Sequence, residues 1–184
     1  MRLIETELKD AYIVEPRVFG DNRGWFMETY SKLKLINTDV VFIQDNQSYT
    51  QKKGTIRGLH CQTNPMCQTK LVRCTRGKII DIIVDIRKGS PTYKKWIKVE
   101  LSAENKRQLF IPKGFLHSFV SLTDDVEIQY KVDEYFSQEC DRSIRYDDEE
   151  FGIDWGVENP ILSDKDRNAP KFKDSDCHFE YKEK

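Results

Sequence analysis

Of the three histidines in this 184-residue chain, His60 has the surroundings that most suggest chemistry. It lies in Gly54-Thr55-Ile56-Arg57-Gly58-Leu59-His60-Cys61-Gln62, a β-like run carrying arginine, histidine and glutamine on a mostly apolar frame. Polar side chains of this kind are expensive to bury unless they are paired or used. An imidazole titrates near neutrality and suits general-base work, provided a carboxylate fixes its tautomer and stabilises the imidazolium. Lys70 can neutralise an enolate oxygen, and Tyr130 can donate a proton from another wall. A base on one side and an acid on the other is what inversion beside a carbonyl requires.

Other chemistries fit less well. Pro112-Lys113-Gly114-Phe115-Leu116-His117 resembles the second histidine motif of metal-binding cupins, which are small jelly-roll barrels. The first such motif needs a histidine where this chain has Gln62, so only two imidazoles remain, too few ligands for a zinc or iron site. Cys61 adjoins His60, but neighbours in a strand point to opposite faces, which argues against a Cys–His nucleophile. Each residue also has an inert alternative. Tyr130 can fill a barrel, Lys70 can blunt a sheet edge, and Asp166 can sit at a helix N-terminus.

The elements that must position these groups read as strands. Residues 1–30 are extended, with a turn at Gly20-Asp21-Asn22-Arg23-Gly24, and Ser31 to Leu35 has short helical character. Strands are predicted over Val40–Ser48, Ile56–Gln62, Lys70–Thr75, Lys78–Ile86, Trp96–Leu101 and Leu109–Ile111. His117–Leu122 and Val126–Tyr135 are expected to form a hairpin across Thr123-Asp124-Asp125. The last forty residues read as polar and irregular, with one helical turn near Ser163-Asp164-Lys165-Asp166 and a solvated face from Lys171 to Lys184. Short strands at regular spacing predict an all-β sandwich or barrel, and one domain spanning residues 1–184. Alternation groups Ile56, Gly58, His60 and Gln62 on one face. Lys70, Val72 and Cys74 share another, as do Ile79, Asp81 and Ile83, and Ile128, Tyr130 and Val132. Arg57 falls on the opposite parity from His60, which a bulge or a partner subunit would reconcile.

Composition narrows the partners. With 30 basic and 31 acidic residues the net charge is −1, so no broad positive field attracts nucleic acid, and an anionic ligand must meet a local cluster of Arg and Lys. The five cysteines form no CxxC pair, a pattern of reduced thiols. The N-terminus lacks an apolar signal core, and Val40-Val41-Phe42-Ile43 is far too short to cross a bilayer. A cytoplasmic protein with no membrane partner is expected.

The motifs together resemble the dTDP-4-dehydrorhamnose 3,5-epimerase family of cupins. The resemblance runs through Phe19-Gly20-Asp21-Asn22-Arg23-Gly24-Trp25-Phe26-Met27-Glu28, Asn46-Gln47-Ser48, Arg57 to Gln62, Gln68-Thr69-Lys70-Leu71-Val72 and Asp81 to Arg87. It continues through Ser90-Pro91-Thr92, Pro112 to His117, Tyr130-Lys131 and Leu162 to Asp166. It implies a homodimeric cupin-type jelly roll with a few short helical turns and neither metal nor organic cofactor. It implies His60 as base, Asp166 as its carboxylate, Tyr130 as proton donor and Lys70 near the 4-keto oxygen of a nucleotide-diphospho-4-keto sugar. Arg23, Glu28, Gln47, Ser48, Tyr49, Arg57, His117 and Lys165 match positions that contact the nucleotide sugar in the family, and Asp81 is expected to orient His117. The chain departs from the family at Ser118, where glycine is usual, in the proline-free stretch Tyr135 to Cys140, and in the tail after Asp141. Substrate identity therefore stays open between a dTDP-rhamnose precursor and a GDP-linked 6-deoxy-heptose. Inversion at carbon 3, carbon 5 or both also stays open, as does a non-catalytic cupin that binds a nucleotide sugar.

Overall fold

The computed structural model describes residues 1–32 and 39–183. In chain order the strands are β1 (Arg2–Glu5), β2 (Tyr12–Glu15), β3 (Val18–Asp21), β4 (Gly24–Met27), β5 (Gln44–Thr50), β6 (Ile56–Gln62), β7 (Lys70–Arg76) and β8 (Lys78–Asp85). They continue with β9 (Arg87–Lys88), β10 (Trp96–Ser102), β11 (Gln108–Ile111), β12 (Phe115–Ser121), β13 (Val126–Val132), β14 (Asp141–Ser143) and β15 (Phe179–Glu180). Among the described residues, helical structure is confined to a single turn, α1 (Asp164–Arg167), and a 3-10 turn at Phe172–Asp174. None of the described helices is long and apolar enough to cross a membrane.

Two antiparallel sheets face each other. One has six strands in the order β1-β2-β11-β7-β13-β5, the other five in the order β10-β8-β12-β6-β14. Alternation dictates what lies between them. Val72 and Cys74 of β7, Leu109 and Ile111 of β11, and Val126 and Ile128 of β13 meet Ile79 and Ile83 of β8, Val99 and Leu101 of β10, and Phe115 and Phe119 of β12. Each such side chain, fully buried, is worth roughly 1.5–3 kcal/mol relative to exposure. Strand β8 reads as a nearly unbroken apolar run because its other face is covered as well. Val84, with Leu59, Cys61 and Leu116, packs under Ile144, Phe151, Phe172, Cys177 and Phe179.

That second layer corrects the sequence reading of the C-terminal forty residues. Phe172, Cys177 and Phe179 are buried, so the stretch from Lys171 is a cover for the five-stranded sheet and not a solvated face. Its few apolar residues are spaced irregularly, so no period betrays them. A second correction concerns β12 and β13. They do not form a hairpin: β12 pairs with β6 and β8, and β13 with β5 and β7, so the chain changes sheets across Thr123-Asp124-Asp125. A neighbouring corner, between β7 and β8, passes through Gly77, where a Cβ would lie 2.5 Å from Thr123 Oγ1. The strand expected from Val40 begins only at Gln44, and that expected to reach Tyr135 ends at Val132. Most of the expected helical segment from Ser31 to Leu35 lies outside the described residues.

The motif around Asp85 is architectural. Its carboxylate accepts from Arg87 Nε (2.9 Å), Ser90 Oγ (2.6 Å) and Thr92 Oγ1 (2.7 Å), while Arg87 reaches Asp10 (2.8 Å) and the Lys9 carbonyl (2.7 Å). This closes the loop after β8 onto the N-terminal segment with buried charges that are fully hydrogen-bonded.

The parity of Arg57 is resolved by a bulge in β6. His60 pairs with His117 and Arg57 with Phe119, so Gly58 and Leu59 oppose Ser118 alone. Arg57 and His60 thereby reach the same cavity, while Leu59 and Cys61 face the outer layer. Gly58 has φ +123°, and a Cβ there would stand 2.6 Å from the His117 carbonyl oxygen and 2.6 Å from Ser118 Cβ. Ser118 also donates its hydroxyl to the Arg57 carbonyl at 2.8 Å, so this departure from the family pattern is built into the bulge. Gly58→Ala is expected to cost roughly 2–4 kcal/mol through backbone strain and overpacking. Denaturant unfolding checks this, and an unchanged midpoint would refute the bulge geometry.

Candidate active site

A cavity of about 390 Å³ opens between the two sheets, within the size range of small-molecule sites. Arg57, His60, His117 and Phe119 enter it from β6 and β12 of the five-stranded sheet. Ser48, Lys70 and Tyr130 enter from β5, β7 and β13 of the other. Thr55, Ile56, Ile161, Leu162, Ser163, Lys165 and Asp166 complete the lining. The expected base and the expected acid therefore stand on opposing walls.

His60 Nε2 lies 2.6 Å from Asp166 Oδ1. Asp166 is buried, and its other oxygen accepts from the Gly58 backbone N–H at 3.3 Å. Burial alone would push this carboxyl up, but the hydrogen bond and charge of His60, with the donors at Gly58 and Ser163, hold it below the ordinary aspartate value. An ionised Asp166 accepts from Nε2–H and leaves Nδ1 as the basic lone pair of the ring. Local sequence sets this up. Ser163 is the N-cap of α1, its hydroxyl accepting from Asp166 N at 3.1 Å, and the turn places Asp166 under the β6 bulge.

His117 sits beside His60 across the β6–β12 ladder and is paired in the same way, its Nε2 2.9 Å from Asp81 Oδ2. Asp81 is fully buried and its Oδ1 has no protein partner. Burial pushes its carboxyl up, and the charge and hydrogen bond of His117 offset only part of this. Lys70 opens on the cavity with its Nζ 6.0 Å from the Tyr130 ring centre. Its ammonium is packed round by protein, which lowers its pKa against the opposing pull of Cys61, Asp141 and Asp81. Burial pushes the Tyr130 phenol up, so it stays protonated as a potential acid.

The remaining expected contacts divide. Ser48, Arg57 and Lys165 line the cavity, Arg57 held by Thr50 Oγ1 (3.1 Å) and the Tyr49 carbonyl (2.9 Å), and Lys165 paired with Asp141. Gln47 and Tyr49 do not, because β5 alternates and turns them outward, where Gln47 donates to Glu127 (2.9 Å) and Tyr49 to Asp125. Arg23 and Glu28 also lie off the cavity. Arg23 sits on the β3–β4 arm, 85% exposed and forked onto Asp21, and Glu28 is exposed just beyond the arm. Gln62 is committed elsewhere, donating to the Met66 and Tyr135 carbonyls and accepting from Ser137 N at 2.7 Å. Gly58, Ser163 and Phe119 were not foreseen as site residues. Of these only Ser163 carried a local signal, a serine three residues before the aspartate it caps.

A model of the dTDP-4-dehydrorhamnose 3,5-epimerase family matches residues 5–174. The chain belongs to that family. It is 50% identical over 179 residues to a dTDP-4-dehydrorhamnose 3,5-epimerase of Shigella flexneri, covering 96% of this chain and 98% of the relative. Among solved structures, the epimerase of Bacillus anthracis with TDP and PPi bound is 50% identical, with a TM-score of 0.90 over 93% of this chain and 99% of that one. The Legionella pneumophila epimerase in complex with dTDP-4-keto-L-rhamnose is 39% identical, with a TM-score of 0.92 over 99% of each chain. The family fold is thus the observed sandwich, and its members are isomerases.

The depressed Asp166 carboxyl has a consequence for stability. Its folded value lies below the ordinary 3.8, so the stability it supplies is present above that value and is lost as pH falls through the depressed one. Asp166→Asn is expected to cost roughly 1–3 kcal/mol at neutral pH. The gap between wild type and variant should then shrink below about pH 4, as read by urea unfolding across pH. A gap independent of pH would show that Asp166 is not held as a carboxylate.

Proposed function

We propose that this protein epimerises carbons 3 and 5 of dTDP-4-dehydro-6-deoxy-glucose, yielding the 4-keto precursor of dTDP-rhamnose for a surface polysaccharide such as O-antigen or capsule. The reading rests on one observation above others: the His60–Asp166 pair and the Tyr130 phenol face one cavity from opposite sheets. Family membership and the nucleotide ligands of the Bacillus and Legionella structures support it.

A 4-keto group acidifies the hydrogens on the neighbouring carbons, because the carbanion is delocalised as an enolate. His60 takes the proton, and Asp166 stabilises the imidazolium. Lys70 meets the developing oxyanion, where a cation already held in a poorly solvated site needs no reorganisation. Tyr130 reprotonates from the other face. His117, positioned by Asp81, lies beside the base and contacts the sugar. Ser48, Arg57 and Lys165 bind toward the nucleotide, Arg57 suited to bidentate contact with the diphosphate.

Incubation with 4-keto sugars carried on dTDP, GDP and CDP in deuterated water tests the assignment. Label is expected at carbons 3 and 5 with the dTDP sugar, and His60→Asn should reduce incorporation by about 10²–10⁴-fold. Tyr130→Phe should impair product formation more than deuterium wash-in. Label at one carbon alone would make this a single-centre epimerase, preference for GDP would assign a heptose substrate, and no label with any sugar would leave a non-catalytic binder.

The exposed β3–β4 arm supports a homodimer. It presents Phe19, Trp25 and Phe26, 50%, 59% and 69% exposed, with Arg23 among them. We infer that a second copy covers this apolar ribbon and receives Arg23 and Glu28 at the nucleotide end of its cavity, with Gln47 and Tyr49 at the rim. Sedimentation should find a dimer, and Arg23→Ala should raise KM roughly tenfold with little change in kcat. A monomer with unaltered KM in that variant would refute the arrangement.

A further inference from the structure

Cys61 and Cys177 are 116 residues apart in sequence, yet their sulfurs lie 3.6 Å apart. Both are buried in the apolar layer between the five-stranded sheet and the C-terminal segment. The proposed reaction uses neither thiol, since Cys61 faces away from the cavity that His60 enters. Their mechanical settings differ. Cys61 lies within β6, paired on one side by β12 and on the other by β14. Cys177 lies in an irregular stretch before β15, whose ladder with β9 is only two residues long. Arg142, the register partner of Cys61 on β14, tethers the residue next to Cys177 by bonds of 2.6 and 2.7 Å to the Asp176 carboxylate.

We propose that Cys61 and Cys177 form an oxidation site, at which a hydroperoxide converts the two thiols to a disulfide that staples the C-terminal segment to β6. The Cys177 thiolate attacks one oxygen of hydrogen peroxide, the O–O bond breaks, and hydroxide leaves with Cys177 as the sulfenic acid. Cys61 then attacks that sulfur, the S–S bond forms, and the S–O bond breaks. The two thiol protons and two hydroxides give two waters, so two thiols and one peroxide yield one disulfide and two waters. The assignment of attacker follows the surroundings. The Cys61 S–H bond lowers the Cys177 pKa against its burial, with Arg142 nearby, while Cys61 itself is pushed well up by the same bond and by burial. Peroxide is scarcely larger than water and can enter on brief opening of a segment held by so short a ladder.

Bond formation requires the sulfurs to approach by roughly 1.5 Å. The tail takes up this movement, because β6 is held by neighbours on both sides. Oxidation therefore stabilises the protein without displacing His60. Closing a loop of this length predicts a rise in Tm of roughly 10–20 °C.

The experiment treats the full-length protein with hydrogen peroxide or with a phosphine reductant, followed by non-reducing peptide mass spectrometry and thermal unfolding. A peptide joining Cys61 to Cys177, lighter by two hydrogens, should appear together with the higher Tm, and both should revert on reduction. Cys177→Ser should abolish the shift while Cys67→Ser retains it. Recovery of both residues as free thiols, over-oxidation of Cys177 without a cross-link, or a cross-link without the Tm rise would each overturn the proposal. The mass measurement on the unaltered chain decides the matter even where a variant folds poorly. The outcome is independent of whether the protein acts on a nucleotide sugar.

Discussion

The pairing of His60 with Asp166 is the interaction on which the rest of the site depends. It joins residues 106 positions apart, one on a strand and the other on a single helical turn. An imidazole facing a cavity is an indifferent base until one nitrogen is committed. Here the buried carboxylate commits Nε2, and its second oxygen is held by a backbone N–H from the same strand that carries the histidine. The N–H is available because β6 bulges at Gly58, where no side chain would fit. One irregularity thus turns Arg57 into the cavity, frees a donor for Asp166 and keeps His60 in register with His117.

Sandwich architecture explains why the His60 imidazole and the Tyr130 phenol can be separated so cleanly. Each sheet is continuous and apolar toward the shared core, with Ile83, Phe119 and Ile128 packed between them. The cavity is where that core gives way to Lys70, Tyr130, His60 and His117, and each polar group there extends a face that is otherwise hydrophobic. Burial shifts Lys70 and Tyr130 in useful senses, making the ammonium a poorly solvated cation and keeping the phenol protonated. The same low-dielectric wall that stabilises the fold tunes the groups it presents.

How much of this was legible in the sequence depended on whether a residue's partner was local. Strand β6 and the faces shared by Lys70, Val72 and Cys74, or by Ile79, Asp81 and Ile83, follow from alternation, and the structure has them. The parity conflict at Arg57 pointed to a bulge or a partner subunit, and nothing local chose between them or said that Gly58 and Leu59 form a bulge. The crossing between β12 and β13 was not legible, since a short polar turn serves a hairpin and a change of sheet equally well. Nor was the burial of Phe172 and Phe179, whose spacing has neither strand nor helix period. Arg23, Gln47 and Tyr49 matched family motifs but lie off the cavity, because a motif records a residue type and not where the fold places its side chain.

The C-terminal segment ties these observations together. It has no continuous secondary structure, yet it supplies Asp166 to one side of β6 and Cys177 to the other. A strand between two such contacts is clamped at adjacent residues, His60 toward the cavity and Cys61 toward the cover. Beyond the two-residue ladder of β15 with β9, the cover is held by scattered contacts, such as Trp96 Nε1 to the Phe151 carbonyl at 2.8 Å and Phe172 N to Asp148 at 2.6 Å. Contacts of that kind impose no period on the sequence, which is why the burial of this region is not visible in its pattern. The position of the segment therefore rests on the turn that carries the carboxylate and on the apolar side chains that hold it down.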